Sequence, residues 1–218
     1  MTIRHHLTED MLMAYSAGAL PEAFALVVAT HVSLCDECRA RVAAFDALGG
    51  AVIEDVAADM AADMAPGSLD ACMARIGTTP QANGRAPRRG SGILPAPLVD
   101  YVGGNLDAVK WRPLGMGVRQ AILRTSDTGA SVRLLAIPGG MAMPDHSHSG
   151  LELTLVLQGA FRDLTDRFSR GDVEVAEASL EHTPVAEAGQ TCICLAATMG
   201  PLKFTALLPR LAQSFFRI

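Results

Sequence analysis

Aromatic side chains are scarce in this chain: one Trp, two Tyr and seven Phe among 218 residues. Any core must therefore be filled mainly by Ala, Leu, Val, Ile and Met. Long apolar runs are also missing. Even the stretch around Leu26-Val27-Val28-Ala29 falls far short of the ~20 residues a bilayer span needs. The opening Met1-Thr2-Ile3-Arg4-His5-His6 meets Glu9 and Asp10 at once, with no apolar signal core, so a cytoplasmic protein with no membrane contact is expected. Basic charge is thin in the first 80 residues, where four Arg face eleven acidic side chains. Phosphate binding rests on Lys and Arg, so this half is a poor candidate for direct contact with nucleic acid. A basic protein, including one that itself binds nucleic acid, suits such a surface better. In a cytosolic chain the five cysteines read first as thiols or metal ligands, before disulfides.

What is present divides the chain. Half of the residues are apolar and 19% are charged, enough for packed cores and against disorder. From Gly77 to Pro97 the sequence GTTPQANGRAPRRGSGILPAP is dense in Gly, Pro and Ser and carries Arg85, Arg88 and Arg89 without an acid. That composition is a linker. The expected organisation is a small all-α domain over residues 1–80, a linker over 81–98 and an all-β domain over 99–218.

The first part has helical period. Thr8 suits an N-cap ahead of Met11, Leu12 and Tyr15, and Gly18 a stop. Pro21 suits the first turn of a second helix carrying Ala23, Leu26, Val27, Thr30 and Leu34. A third helix starts near Asp36 and Glu37 and runs to about Asp63 or Met64. A short fourth begins at Ser68 and closes at Gly77. The third is apolar nearly all round, and a domain of ~80 residues cannot bury every side of it. Phe45, Leu48, Val52, Ile53, Val56 and Met60 are therefore candidate partner surface, adaptable through its methionine. Packing on the second domain is the alternative use of that face.

Chemistry in this half lies in four side chains. Cys35 and Cys38 form a C-x-x-C, and His31 stands one helical turn before Cys35. His6 comes from just before the first helix, with neighbouring His5 an alternative donor. Two imidazoles and two thiolates suit a closed tetrahedral Zn(II) site with no position left for catalysis. A redox dithiol is the competing use of C-x-x-C, but the βαβ pattern that accompanies it is absent.

With these residues in view, His31-x3-Cys35-x2-Cys38 and its upstream histidine resemble the zinc-binding domain of anti-sigma factors that sequester extracytoplasmic-function sigma factors. The stretch HHLTEDMLMAYSAGALPEAFALVVATHVSLCDECRAR is similar to the ChrR-type family, whose members join that domain to a carboxy-terminal cupin-like one.

Beyond the linker the apolar period falls to two. Short strands are expected over residues 118–124, 131–137, 151–158, 172–176 and 191–197, as an antiparallel sandwich or jelly roll requires. Gly140-x5-His146-x-His148-x3-Glu152-x6-Gly159 resembles the first cupin motif at every fixed position. His146 and His148, two apart on a strand, share a face, and a turn at Ser149-Gly150 lets the next strand aim Glu152 at the same centre. The resemblance implies a further ligand from the second motif, here His182. That motif departs from the usual pattern, with Ser169 in place of proline and no Asn after His182. Three His and one Glu suit Zn, Fe, Mn or Ni; a second divalent metal, zinc, is the expectation. Cys192 and Cys194 flank Ile193 on one strand face as core or as an oxidisable pair, and Cys72 reads as packing.

Together the resemblance implies a non-enzymatic regulator. Its helical domain clasps a sigma factor, and its barrel responds to oxidative stress, singlet oxygen in particular. The alternative is a cupin oxygenase or isomerase with an accessory zinc domain.

Overall fold

The computed structural model describes residues 2–57, 64–78, 92–143, 146–148, 150–177, 183–200 and 202–204. Helix α1 (Glu9–Ser16) starts where the Thr8 hydroxyl accepts the Met11 amide at 3.4 Å, one of the donors a helix start leaves open. Helix α2 (Glu22–Val32) begins one residue later than expected, with Pro21 as its N-cap and no capping side chain of its own. Its open amides are capped from a distance: the Asp127 carboxylate accepts Glu22 N at 3.0 Å and Ala23 N at 2.7 Å. Helix α3 (Asp36–Ala57) and helix α4 (Ser68–Thr78) follow. The expected end of α3 at Asp63, the partner candidate Met60 and the linker stretch 81–91 all lie outside the described residues.

The last part of the stretch expected to be linker is packed. Leu94 is fully buried, and Ala96–Val102 form a further helix, α5, that Pro95 opens and Gly103 closes.

Strands then build three antiparallel sheets. The largest contains β1 (Arg112–Gly115), β2 (Val118–Leu123), β3 (Ala130–Ile137), β5 (Glu152–Gln158), β8 (Val173–Ala176) and β10 (Cys192–Met199), in the order β1-β2-β3-β10-β5-β8. A pair joins β4 (His146–His148) to β11 (Leu202–Phe204), and a trio orders β7 (Arg167–Ser169), β6 (Ala160–Arg162) and β9 (Val185–Ala186) as β7-β6-β9. Gly159 makes the corner between β5 and β6 at φ 72°, where a Cβ would stand 3.1 Å from the Cys192 backbone.

The large sheet is buried on both faces, which is why β10 reads Cys-Ile-Cys-Leu-Ala-Ala rather than as polar and apolar in turn. Leu153, Leu155 and Leu157, with Val132, Leu134, Ile193 and Leu195, join the helices in one core. Alternate residues such as Val156, Cys192 and Cys194 face the interior of the sandwich. Helix α2 lies across β10, β3 and β5, so Phe24, Val27 and Val28 seal the sheet from outside.

Polar contacts tie the same seam. Glu22 accepts the Tyr101 hydroxyl at 2.7 Å and both the amide and hydroxyl of Ser126 at 2.6 Å. These bonds, the Ser126 hydroxyl first, hold the Glu22 carboxyl down to about 2. A carboxyl that is more acidic folded than unfolded contributes stability above its ordinary value near 4.5 and loses it as pH falls towards 2. Acid unfolding between pH 5 and 2 is expected to be shallower in Glu22→Gln than in the native chain. Identical acid limbs would show that the contact contributes nothing.

Candidate metal centre

The turn from α2 into α3 gathers four ligand side chains. His31 ends α2 on its buried face, and the chain doubles back immediately: Leu34 N and Cys35 N both donate to the His31 carbonyl at 2.8 Å. Cys35 precedes α3, its carbonyl accepting Arg39 N at 3.0 Å and its sulfur accepting Cys38 N at 3.4 Å. His6 arrives from the extended residues before α1. The result is one cluster: His6, His31, Cys35 and Cys38 each offer an atom, and all four atoms lie within 4.8 Å of one another.

Its distances suit an ion. A tetrahedral zinc, roughly 2.0–2.3 Å from nitrogen and sulfur donors, sets those donors about 3.3–3.8 Å apart. His31 Nε2 is 3.2 Å from Cys38 Sγ, and His6 Nδ1 is 3.3 Å from Cys35 Sγ and 3.6 Å from Cys38 Sγ. The outward nitrogens are engaged elsewhere. His31 Nδ1 is 2.9 Å from the Gly171 carbonyl, to which its N–H donates, and His6 Nε2 stands 3.4 Å from Glu37. Donation by His31 Nδ1–H leaves the Nε2 lone pair facing the cluster, and Glu37 beside His6 Nε2 favours the proton on that outward nitrogen. Burial holds the His31 imidazole down to about 4, neutral and ready to coordinate. Burial also pushes the Cys38 thiol up, helped by Cys35 beside it. A metal cation at this point would supply the charge that favours thiolate there. His5, the alternative donor, is turned away, with Nε2 3.0 Å from Asp166.

The second candidate centre is only partly described. Glu152 opens β5, is buried and accepts the Thr154 hydroxyl at 3.0 Å. It lines a cavity of about 80 Å³ inside the sandwich together with Arg133, Thr154, Glu174 and Cys194. The backbone of His146 and His148 forms β4, paired with β11. His182 lies outside the described residues. Cys192 and Cys194 sit side by side with their sulfurs 3.6 Å apart, both buried.

For the partner surface, α3 divides in two. Val42 is buried and Phe45 packs partly on the core, whereas Leu48, Val52, Ile53 and Val56 are exposed. Sequence reasoning missed a second bare stripe. Helix α4 buries no side chain, and Leu69, Met73 and Ile76 stand 60–68% exposed on one face. Their spacing of four and three was the available signal.

The fold and the cluster define a class: a helical domain with a His2Cys2 cluster able to hold a metal, packed on a cupin-like β-sandwich. Comparison with known proteins narrows it. Residues 101–202 match the family described as the ChrR cupin-like domain. The full chain is 60% identical over 218 residues to the anti-sigma-E factor ChrR of Cereibacter sphaeroides, covering all of both chains. Among solved structures, the complex of Rhodobacter sphaeroides SigE with the anti-sigma ChrR matches at TM-score 0.76 and 58% identity, over 90% of this chain and 99% of that one. The chain belongs to the ChrR family of anti-sigma factors. No helix among the described residues is long and apolar enough to cross a membrane.

Proposed function

We propose that residues 1 to about 80 form a zinc-dependent clasp for an extracytoplasmic-function sigma factor in the cytoplasm. One observation carries this reading: in a chain of an anti-sigma family, the apolar stripes Leu48-Val52-Ile53-Val56 and Leu69-Met73-Ile76 are left bare, and the helix that bears the first of them starts at a ready four-ligand cluster. Such faces are costly to leave in water and suit a helical partner. The acidic balance of this half favours a partner with a basic surface. Holding α3 against α2 is the work of the zinc, and the direction in which α3 projects follows from it.

In the same proposal, His146, His148, Glu152 and His182 hold a second divalent ion, zinc, in the sandwich. Oxidative chemistry there, singlet oxygen included, weakens the clasp. Tenfold release needs only ~1.4 kcal/mol of differential stability. The oxygenase or isomerase alternative has less support, since the full-length relatives carry the names of regulators.

Co-expression with a SigE-type sigma factor tests the clasp. Gel filtration is expected to yield one complex of equal stoichiometry, with α3 and α4 protected in hydrogen exchange. Separate elution of the two proteins at micromolar concentration contradicts it.

A further inference from the structure

We propose that the turn Ser169–Asp172 of the sandwich is the outer shell of the helical metal site, with Asp172 as its positioning residue. The inference rests on the reading that His6, His31, Cys35 and Cys38 hold a metal. It adds the means by which the sandwich acts on that metal.

Asp172 is fully buried, yet both carboxylate oxygens are engaged. Oδ1 accepts Arg4 N at 2.7 Å and His5 N at 3.0 Å; Oδ2 accepts the amide and the hydroxyl of Ser169, each at 2.8 Å. Val173 N donates to the His5 carbonyl at 3.2 Å. The segment that ends in His6 is thus pinned to the turn between β7 and β8 through two amides and a carbonyl of its backbone. One residue earlier, the Gly171 carbonyl accepts from His31. Both imidazole ligands are therefore set by three consecutive residues of the sandwich, while both thiolates come from the helical turn.

The turn is itself shaped for this task. Gly171 has φ 89°, and a Cβ there would lie 2.7 Å from the Ile3 side chain, so the segment before His6 rests directly on it. Ser169 replaces the proline of the usual cupin pattern. Proline has no N–H and no hydroxyl, and would remove both donors that hold Asp172 Oδ2. The departure from the pattern falls on the residue that buttresses the proposed shell.

The turn also continues into the sandwich interior. Gly171 N donates to the Val156 carbonyl at 2.8 Å, and Val156 N to the Asp172 carbonyl at 3.1 Å. Val156 lies on β5, the strand that Glu152 opens, roughly 13 Å away at ~3.3 Å per residue. A shift of β5 at the cavity thus has a short, hydrogen-bonded route to both imidazoles. Outer-shell partners of metal-bound histidines typically change affinity by about 10–100-fold when removed.

The test uses the full chain loaded with Co(II), whose thiolate charge-transfer band reports only a sulfur-bearing site. Asp172→Asn must leave one donor pair facing an amide nitrogen. It is expected to shift that band and speed cobalt loss to excess chelator about 10–100-fold. Ser169→Ala keeps the backbone bond and is expected to move both readouts the same way by less, so it carries the test if Asp172→Asn does not fold. Asp127→Asn breaks the distant cap of α2 and serves as the control, with release within about twofold of the native chain. Should Asp172→Asn and Ser169→Ala lower the melting temperature while band and release rate stay native, Asp172 is a fastening only and the inference falls. A native chain with no thiolate band at all overturns the metal reading itself, a distinct failure.

Discussion

Cys35→Ala is expected to cut bound zinc from two equivalents to one and to abolish capture of the sigma factor. His148→Ala is expected to lose the other equivalent and leave capture intact. The asymmetry follows from where each site sits. Cys35 lies in the turn that fixes the start of α3 against α2, and the helices there share little core: α1 buries Met11 and Leu12, and α3 only its first turns. Structural zinc binds such small sites with on the order of 10–16 kcal/mol of apparent free energy; α2 keeps its packing on the sheet without it, so the loss is expected to fall on the start of α3. Elemental analysis of the purified variants reads the stoichiometry, and co-elution with the sigma factor reads the capture. Equal loss of capture in both variants would place both ions in one functional unit.

The second large effect is expected from the bare stripes. Ile53→Asp on α3 and Ile76→Asp on α4 are each expected to weaken sigma binding at least ~30-fold, as removal of a binding hot spot worth about 2 kcal/mol does. If the two sites act independently, the pair is expected to weaken it by roughly a thousandfold. Both side chains are at least 65% exposed, so the melting temperature of the free chain should hardly move, as is usual for surface substitutions. Isothermal titration beside a thermal melt separates the two quantities. A variant that melts early yet binds at native strength would remove these helices from the interface.

Most of the candidate site was legible because its signals are local. His31, Cys35 and Cys38 follow one another at a helical turn and its exit, so spacing alone brings three ligands together. Sequence left His5 open as an alternative to His6; in the fold Asp166 and Asp172 engage the His5 ring and backbone, and His6 joins the cluster. Strands such as β5 were legible because short apolar or alternating runs are bounded by Gly and Pro, and Leu153, Leu155 and Leu157 do face away from Glu152 and Thr154. Helix α5 was hidden because Pro95 and Pro97 belong to a stretch whose composition reads as linker, while Leu94, Leu98 and Val99 find burial only against distant partners. The capping of α2 by Asp127 and the hold of Asp172 on Arg4 and His5 span more than a hundred residues of sequence. No local pattern marks them. They are also what turns two segments expected to be joined by a linker into helices and sheet with one shared core.

The central claim is that a single ion held by His6, His31, Cys35 and Cys38 shapes the surface that docks the sigma factor. Its most direct test compares the zinc-loaded chain with chelator-stripped material, by titration against the sigma factor and by circular dichroism of the same samples. The account predicts that stripping weakens binding at least ~100-fold and lowers the helical signal, with both restored by one equivalent of zinc at the cysteine site. Stripped protein that keeps its helix content and binds the sigma factor as tightly as before would contradict it.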